Sequence, residues 1–452
     1  MKELFRTFSG FTNTGKVSGK STGMASLIRI ACLVILGLWT GACHHFDKKI
    51  NEPAPALPVK VEPVLISQLG PEHFGNAVYR KGAEGSRIAA SGGRILECLV
   101  HESATPTEVV PPGANRYQNG ACAMDVNDDG TDEMIAGRAE GKQGTDLLWF
   151  GEVPGQKQWK EHLIDSIREG NGDEGLHDVM PFEMKVSDRP LKGVVTVVNR
   201  RILYWYQITG NANQPWEQHM ISDLGTQGAE CAQSGLAGGN ISGKGRQDLV
   251  CGNFWAECPA DPTRETWKIH RYSNWDRRAT PSYPDMKSWV HDTRFGGMNQ
   301  LDLGDMNNDG RLDIVASDAE IPEARVGIFC QNMVNPYGLW DETIIDTGTY
   351  CPHSLVVCDV NADNRADILV GEMTAGGWWF PKNPDPKLYL YLNKGNLKFQ
   401  KYVLYSGWGT HMMRMIPQHD QKKVFVFAAD EIQPWYPDMT THIVGWNISP
   451  VK

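Results

Sequence analysis

The sequence predicts an all-β fold, a seven-bladed β-propeller, and three observations carry this prediction. An acidic loop recurs along the chain, an aromatic strand motif recurs between the loops, and a segment near the N-terminus matches the one strand that the last repeat lacks. Four strands in a repeat of about 40 to 60 residues are typical of a propeller blade. The 452 residues of the chain are enough for seven such blades.

Three acidic loops carry oxygen-bearing side chains at positions 1, 3, 5 and 9 and Gly or Asn at position 6. Position 6 needs a positive φ, and the oxygen set is typical of calcium loops. An EF-hand would place its last ligand at position 12 and continue as a helix, whereas here a short apolar strand follows position 9. The loops are therefore predicted to be calcium-binding turns between two strands. The predicted ligands are Asp125, Asn127, Asp129, Glu133, Asp305, Asn307, Asp309, Asp313, Asp359, Asn361, Asp363 and Asp367.

The loop spacing is that of propeller blades. Asp305 and Asp359 are 54 residues apart, and a degenerate copy that starts at Asn240 lies 65 residues before Asp305. Asp125 precedes Asn240 by 115 residues, about two repeats, so one repeat between them has lost its loop. Lys244 occupies a ligand position of the degenerate copy, and we expect no calcium there.

A second motif recurs between the loops, with Trp at its first position and His at its fourth. It appears as Trp159–His162, Trp216–His219 and Trp267–His270, each in an alternating segment that predicts a half-buried strand. We interpret these three histidines as packing residues on the outer strand of each blade. The last repeat, residues 407–448, shows only three strands, and residues 61–67 match the missing outer strand. An N-terminal strand that closes the ring would remove an open sheet edge.

The loops and strands together resemble the FG-GAP/VCBS repeat family of β-propellers, over about residues 61–448. The resemblance implies a propeller with calcium at the three good loops, where the ion would tie two strands together.

The N-terminus is predicted to be an export signal rather than part of the fold. An apolar stretch, residues 26–39, is too short for a comfortable membrane span and ends in Thr-Gly-Ala before Cys43. This ending resembles a bacterial lipobox, which would leave Cys43 lipidated; the alternative is an ordinary cleaved signal peptide. The start is either Met1 or Met24. The predicted divisions are a signal at 1–43, a tether at 44–58 and the propeller at 59–452.

Composition limits the partners. A net charge of −10 argues against nucleic acid, and the only membrane contact that we expect is through the lipid anchor. We expect the protein in the periplasm or at the cell surface, where calcium is available. Of the ten cysteines, eight remain besides Cys32 and Cys43, and disulfides can form outside the cytoplasm, although spacing leaves their pairing open.

Propeller geometry predicts which residues meet at the mouth of the central channel. Inner strands run from one face to the acidic-loop face, so residues six positions before each loop should ring the opposite mouth. These are Asn76, Asn119, His177, Ser234, Asn299, His353 and His411. Residues at the ends of second strands should join them, namely Arg138, Glu257, Asp318, Glu320, Glu372 and Asp430.

Three histidines among carboxylates can bind a transition metal or supply a general base, and they can equally satisfy backbone groups and channel water. Four tryptophans, at positions 255, 378, 379 and 408, fall near the same face. Exposed indoles beside polar groups suit sugar rings, and core packing is the alternative.

The histidine-bearing inner strands and Trp-x-x-His outer strands look like the propeller part of aldos-2-ulose dehydratase-type proteins, and propeller-shaped polysaccharide lyases also exist. Both imply β-elimination from a carbohydrate. We assign His177, His353 or His411 as base or metal ligand, Arg138 or a metal as electrophile, and Asp178 as the group that orients His177. The predicted substrate-binding residues are Asn299, Glu372, Trp378, Trp379 and Trp408. A non-catalytic module that binds carbohydrate or protein, or a structural surface repeat protein, is the alternative.

Overall fold

The computed structural model describes residues 56–100, 105–140, 144–168, 176–199, 201–227, 235–275, 298–318, 321–374, 383–416, 423–430 and 440–451. These residues form 28 strands and one short 3-10 helix, Leu224–Gln227. The strands make seven four-stranded antiparallel sheets, as the sequence predicts. Within these residues no helix is long and apolar enough to cross a bilayer.

The first three blades follow the chain in order, from the inner to the outer strand. Blade 1 contains β2 (Asn76–Gly82), β3 (Gly85–Ser91), β4 (Ile95–Leu99) and β5 (Thr107–Val110). Blade 2 contains β6 (Tyr117–Met124), β7 (Glu133–Ala139), β8 (Thr145–Gly151) and β9 (Lys160–Ile167). Blade 3, which lacks an acidic loop, contains β10 (Leu176–Val186), β11 (Arg189–Val198), β12 (Ile202–Gln207) and β13 (Glu217–Asp223).

The next three blades repeat the pattern. Blade 4 contains β14 (Leu236–Gly239), β15 (Asp248–Cys251), β16 (Phe254–Glu257) and β17 (Lys268–Arg271). Blade 5 contains β18 (Met298–Gly304), β19 (Asp313–Asp318), β20 (Ala324–Cys330) and β21 (Asp341–Thr349). Blade 6 contains β22 (Ser354–Cys358), β23 (Asp367–Gly371), β24 (Lys387–Asn393) and β25 (Phe399–Ser406).

Blade 7 is closed by the N-terminal segment. Its own strands are β26 (His411–Ile416), β27 (Val424–Ala429) and β28 (Thr441–Pro450), and β1 (Val59–Gly70) pairs antiparallel with β28 as the outer strand. The prediction that an N-terminal strand closes the ring is confirmed. The paired edge leaves no open strand between the first and last blades, which protects the ring from edge-to-edge association.

The hydrophobic core lies between blades. One cluster joins Ile135 and Trp149 of blade 2 to Val194 and Tyr204 of blade 3, all nearly inaccessible to solvent. Each blade thus buries both faces against its neighbours, which is why the second and third strands are mostly apolar. A hydrogen bond also connects blades 1 and 2, since the buried guanidinium of Arg80 donates to the carbonyl oxygen of Asp132 at 2.9 Å.

Candidate functional site: the central channel and its histidine cluster

The three acidic loops share one hydrogen-bonding pattern. In the first, the backbone N–H of Asp129 donates to Asp125 Oδ1 at 3.1 Å and to Asn127 Oδ1 at 3.0 Å, and the N–H of Gly130 donates to Asp125 Oδ2 at 2.9 Å. The equivalent distances in the other two loops lie between 2.8 and 3.1 Å. Position 6 has positive φ in each, +87° at Gly130 and 63° at Asn364, for example. The oxygens of positions 1, 3 and 5 are therefore gathered on one turn.

The acid at position 9 of each loop is a buried backbone acceptor. The carboxylates of Glu133, Asp313 and Asp367 accept the N–H of position 2 at 2.8, 3.0 and 3.1 Å, respectively. Burial raises the pKa of Glu133 to about 7; the hydrogen bond from position 2 opposes this rise, and the negative charges at positions 5 and 1 add to it. Four oxygen-bearing side chains with crowded negative charge fit a hard divalent cation.

Two further observations concern whether the acidic loops suit a calcium ion. An arginine at position 7 pairs with the position-5 carboxylate in two of them, Arg311 with Asp309 and Arg365 with Asp363, both at 2.6 Å. Among the described residues, no group of three or more His, Cys, Asp or Glu side chains is arranged to hold a metal ion. Calcium at these loops stays a prediction.

The degenerate loop of blade 4 keeps the same backbone geometry without the ligand set. The N–H of Gly245 donates to Asn240 Oδ1 at 2.8 Å, and Asp248 accepts the N–H of Ser242 at 2.7 Å. Lys244 at the ligand position pairs with Glu257 instead. Glu257 ends the third strand of its blade, on the loop face, so its predicted place at the end of a second strand and at the mouth was wrong.

Three histidines from three inner strands meet at the opposite end of the channel. His177 on β10, His353 just before β22 and His411 on β26 belong to blades 3, 6 and 7. The ring centroids of His353 and His411 lie 4.3 Å apart with an interplanar angle of 17°, and those of His177 and His353 lie 6.0 Å apart. Blades 3 and 6 are not neighbours in the ring, so these side chains meet across its axis. All three are buried, with exposed fractions of 5%, 0% and 2%.

Hydrogen bonds assign the tautomers of two of these rings. His177 Nδ1 lies 3.1 Å from Asp178 Oδ2, and His411 Nδ1 lies 2.7 Å from the carbonyl oxygen of Gly75. Because both partners are acceptors, Nδ1 carries the hydrogen and Nε2 carries the lone pair in the neutral rings. Burial lowers the pKa of His411 well below its usual value, and the neighbouring histidines lower it further. Asp178 thus contacts the ring that it is predicted to orient, and its role stays a prediction.

Strained backbone surrounds the His353–His411 pair. Cys351, two residues before His353, has a φ of 46°, and Met412, directly after His411, has a φ of 54°. The pairing of β26 with β27 also shifts between His411 and Arg414. A non-glycine residue with a positive φ destabilises the fold by about 1–3 kcal/mol, and such residues concentrate at functional sites. The irregularity turns the side chain of Arg414 into the channel.

The channel contains a cavity of about 520 Å³ that all seven inner strands line, and its lining includes Asp178 and Met412, the sequence neighbours of His177 and His411. Its polar lining residues are Asp178, Gln300, Asp302 and Arg414, and methionines 412, 413 and 415 form part of its wall. Both carboxylate oxygens of Asp302 accept backbone N–H groups, those of Leu303 at 2.8 Å and Val357 at 2.7 Å. Burial raises the pKa of Asp302 to about 6, with these hydrogen bonds opposing the rise.

The second-strand acids are held within their own blades. Glu372 accepts hydrogen bonds from the N–H of Tyr350 at 2.8 Å and from the hydroxyl of Tyr389 at 3.2 Å. Asp318 forms a bidentate ion pair with Arg325. These contacts commit the carboxylate of Glu372 to the loops of blade 6, and its role in substrate binding stays a prediction.

Arg138 is similarly engaged. Its guanidinium pairs with Glu140 at 3.2 Å, Asp146 at 3.8 Å and Glu161 at 2.5 Å, all on blade 2. The structure brings Arg138 to a carboxylate cluster on its own blade, not into the lining of the cavity. Its electrophilic role stays a prediction.

The tryptophans divide into two groups. Trp255 is buried in β16 at 2% exposure, which contradicts its placement on an exposed sugar platform, and Trp408 packs against Tyr405 and Trp446. Trp378 and Trp379 lie outside the described residues, as do Ser234, Glu320, Cys43 and the side chains of Asn119 and Asn299.

The outer-strand histidines pack as the sequence predicts. His162, His219 and His270 each pack against the tryptophan directly across from them on the third strand, with centroid distances of 3.9, 4.7 and 4.4 Å. This repeated pair belongs to blade packing and not to the channel.

Five of the cysteines that the structure describes are free thiols. They are Cys98, Cys122, Cys258, Cys330 and Cys358, and all but the last are buried. Burial raises the pKa of the Cys122 thiol to about 12. Such thiols are chemically inert in the folded protein.

Sequence reasoning missed Gln300, Asp302 and Arg414. Asp302 and Arg414 lie three residues after a predicted mouth position, Asn299 and His411, so the inner-strand offset was a usable signal. Side-chain direction was not readable, since register shifts interrupt both strands before these residues.

Comparison with known proteins identifies one repeat family within the chain. Residues 305–370, which hold two of the three acidic loops, match the FG-GAP-like repeat family. No curated protein matches the sequence. Among solved structures the chain is similar to YCF48 from Cyanidioschyzon merolae, at 14% identity and a TM-score of 0.42, over 87% of this chain and 97% of that chain. The protein is a seven-bladed β-propeller with an FG-GAP-like repeat, and a similarity this distant carries no information on its activity.

Proposed function

We propose that the protein is an exported, carbohydrate-active β-propeller in which His177, oriented by Asp178, acts as a general base. This base lies at the end of the channel opposite the acidic loops. The observation that carries the proposal is the contact between His177 Nδ1 and Asp178 Oδ2, at 3.1 Å, beside a cavity of about 520 Å³. A carboxylate on Nδ1 fixes the tautomer and leaves Nε2 to accept a proton.

The reaction class is β-elimination next to a carbonyl or carboxyl group. Nε2 of His177 takes the proton from the carbon beside that group, and the C–H electron pair becomes the enolate. The enolate then forms the carbon–carbon double bond as the β carbon–oxygen bond breaks, and the leaving oxygen takes up a proton. The imidazolium that forms on His177 is stabilised by the negative charge of Asp178.

Two properties of the site support this chemistry. Burial and the neighbouring histidines lower the pKa of His411, so this ring is held neutral and adds no positive charge beside the proposed base. The cavity volume of about 520 Å³ is in the range of pockets for small molecules, and its methionine wall can contact the apolar face of a sugar ring.

The remaining expectations enter as parts of the same proposal. Calcium at the three acidic loops would hold strands of blades 2, 5 and 6 together, far from the channel chemistry. Lipidation at Cys43 would anchor the exported protein at the periplasmic or outer surface of a membrane. A transition metal at the histidine cluster is the alternative role for these rings.

The test is elimination activity on a panel of keto sugars and uronate oligosaccharides, followed through the ultraviolet absorbance of the conjugated product. His177→Asn keeps a donor toward Asp178 but removes the basic nitrogen, and we expect a loss of about 10²- to 10⁴-fold in kcat. His219→Asn, on an outer strand, is the matched control and should retain full activity.

A non-catalytic binding module is the other outcome of this test. It would bind sugars without forming the conjugated product, and binding would survive His177→Asn. A fully active His177→Asn protein would remove His177 from the chemistry.

A further inference from the structure

Arg414 carries a partly buried positive charge that lines the channel cavity. Its guanidinium donates to the carbonyl oxygens of Ala77 at 3.1 Å and Ala121 at 2.9 Å and to Asn76 Oδ1 at 3.3 Å. No Asp or Glu in the described part of the chain lies within ion-pair distance of it. A cation removed from water normally has a paired anion, since neutral acceptors repay only part of the desolvation cost.

The carboxylates that share the cavity are committed elsewhere. Asp178 accepts from His177 Nδ1, and both oxygens of Asp302 accept backbone N–H groups. Their remaining lone pairs can accept hydroxyl hydrogens, but they do not neutralise Arg414 by direct contact. The cavity therefore combines one cation with hydroxyl acceptors.

A second donor in the cavity has no partner. The side-chain amide nitrogen of Gln300 is buried and makes no hydrogen bond to any described residue. An unpaired buried N–H group is unfavourable, because it has lost its hydrogen bonds to water without a replacement. Gln300 on β18 and Arg414 on β26 both line the cavity, so both side chains border the space that one ligand would occupy.

We propose that the channel cavity is an anion subsite in which Arg414 and Gln300 bind the carboxylate of a sugar acid. The guanidinium group suits planar carboxylates, while Asp178 and Asp302 accept the sugar hydroxyls. This inference rests on the proposed function and names its substrate class as acidic sugars instead of neutral keto sugars. Asp178, which contacts the proposed base His177, lines the same cavity as Arg414, so a carboxylate bound by Arg414 lies in the cavity that Asp178 also lines.

Binding separates this inference from the proposed function, because it does not require turnover. Isothermal titration of the full chain with glucuronate, its methyl ester and glucose is the primary measurement. We expect binding of glucuronate and at least about tenfold weaker binding of the ester and of glucose, which lack the charge. His177→Asn should bind glucuronate like the wild type, so a failure of catalysis leaves the subsite intact.

Variants then test the two donors. Arg414→Gln should weaken glucuronate binding about thirtyfold or more. Arg414→Lys should weaken it less, because lysine keeps the positive charge but cannot make the bidentate hydrogen bonds of a guanidinium group. Gln300→Leu should weaken it about tenfold. Arg168→Gln, at an exposed arginine of blade 2, is the control and should leave binding unchanged.

Arg414 also joins three inner strands, so its glutamine variant can fail to fold. Met415→Glu tests the same idea without touching those bonds, since Met415 lines the cavity and is 44% exposed. A carboxylate introduced there should abolish glucuronate binding in a protein with a thermal midpoint near that of the wild type. Equal affinity for glucuronate and glucose, or unchanged binding in a folded Arg414→Gln or Met415→Glu protein, would overturn the inference.

Discussion

The closing strand β1 makes a quantitative prediction about stability. Ile66 is 1% exposed and packs in the cluster of buried residues that includes Phe425, Phe427 and Ile443. Ile66→Ala removes three carbon atoms from this site. At about 0.8 kcal/mol for each buried CH₂ the transfer loss is about 2.4 kcal/mol, and the residual cavity brings the expected cost to about 3–4 kcal/mol.

The assay is equilibrium unfolding in guanidinium chloride, followed by tryptophan fluorescence and circular dichroism. Ile66→Ala should lower the midpoint, whereas Lys60→Ala on the same strand, with a side chain that is 67% exposed, should change the free energy of unfolding by less than about 0.5 kcal/mol. If both variants unfold like the wild type, β1 is not an integral part of blade 7 and the reasoning fails.

Three further predictions concern metal, pH and thiols. Elemental analysis after equilibration with calcium should find about three ions per chain and one fewer in Asp359→Ala, because each acidic loop supplies one ligand set; an unchanged calcium content would contradict it. Burial lowers the pKa of His411 well below 6.5, so its contribution to stability is complete above about pH 6.5 and is lost as pH falls toward the folded-state pKa. Urea midpoints between about pH 8 and 5 should fall on acidification, and less so in His411→Asn; parallel profiles would refute this. Cys122 and Cys251 should resist alkylation in native protein and react after unfolding, as peptide mapping would establish; rapid native labelling would contradict their burial.

The sequence was sufficient for the fold because its signals are local and repeated. A loop such as Asp125–Glu133 needs specific residues at fixed positions to make its turn, and the histidine of Trp-x-x-His needs a facing tryptophan on the preceding strand. Both patterns can be recognised in a single sequence because several blades repeat them. Ring closure was readable for the same reason, as the last repeat lacked one strand and residues 61–67 supplied its pattern.

The site was only partly readable because it depends on long-range geometry. The spacing of the inner strands was enough to predict that His177, His353 and His411 lie together at one end of the channel, as the structure shows. The partners of Arg138 and Arg414 depend on which way each strand turns its side chains, and the shift between His411 and Arg414 has no signature in the sequence. The sequence therefore predicts Arg138 of blade 2 as the electrophile, whereas the arginine that lines the cavity is Arg414 of blade 7.

The central claim is that His177 removes a proton from carbon in a sugar held in the channel, and isotope exchange tests it most directly. Glucuronate deuterated at the carbon beside its carboxylate is incubated with wild-type protein and with His177→Asn, and loss of deuterium to water is followed by NMR. The account predicts exchange with the wild type and at least about 10²-fold slower exchange with the variant. Equal exchange in both proteins would contradict it.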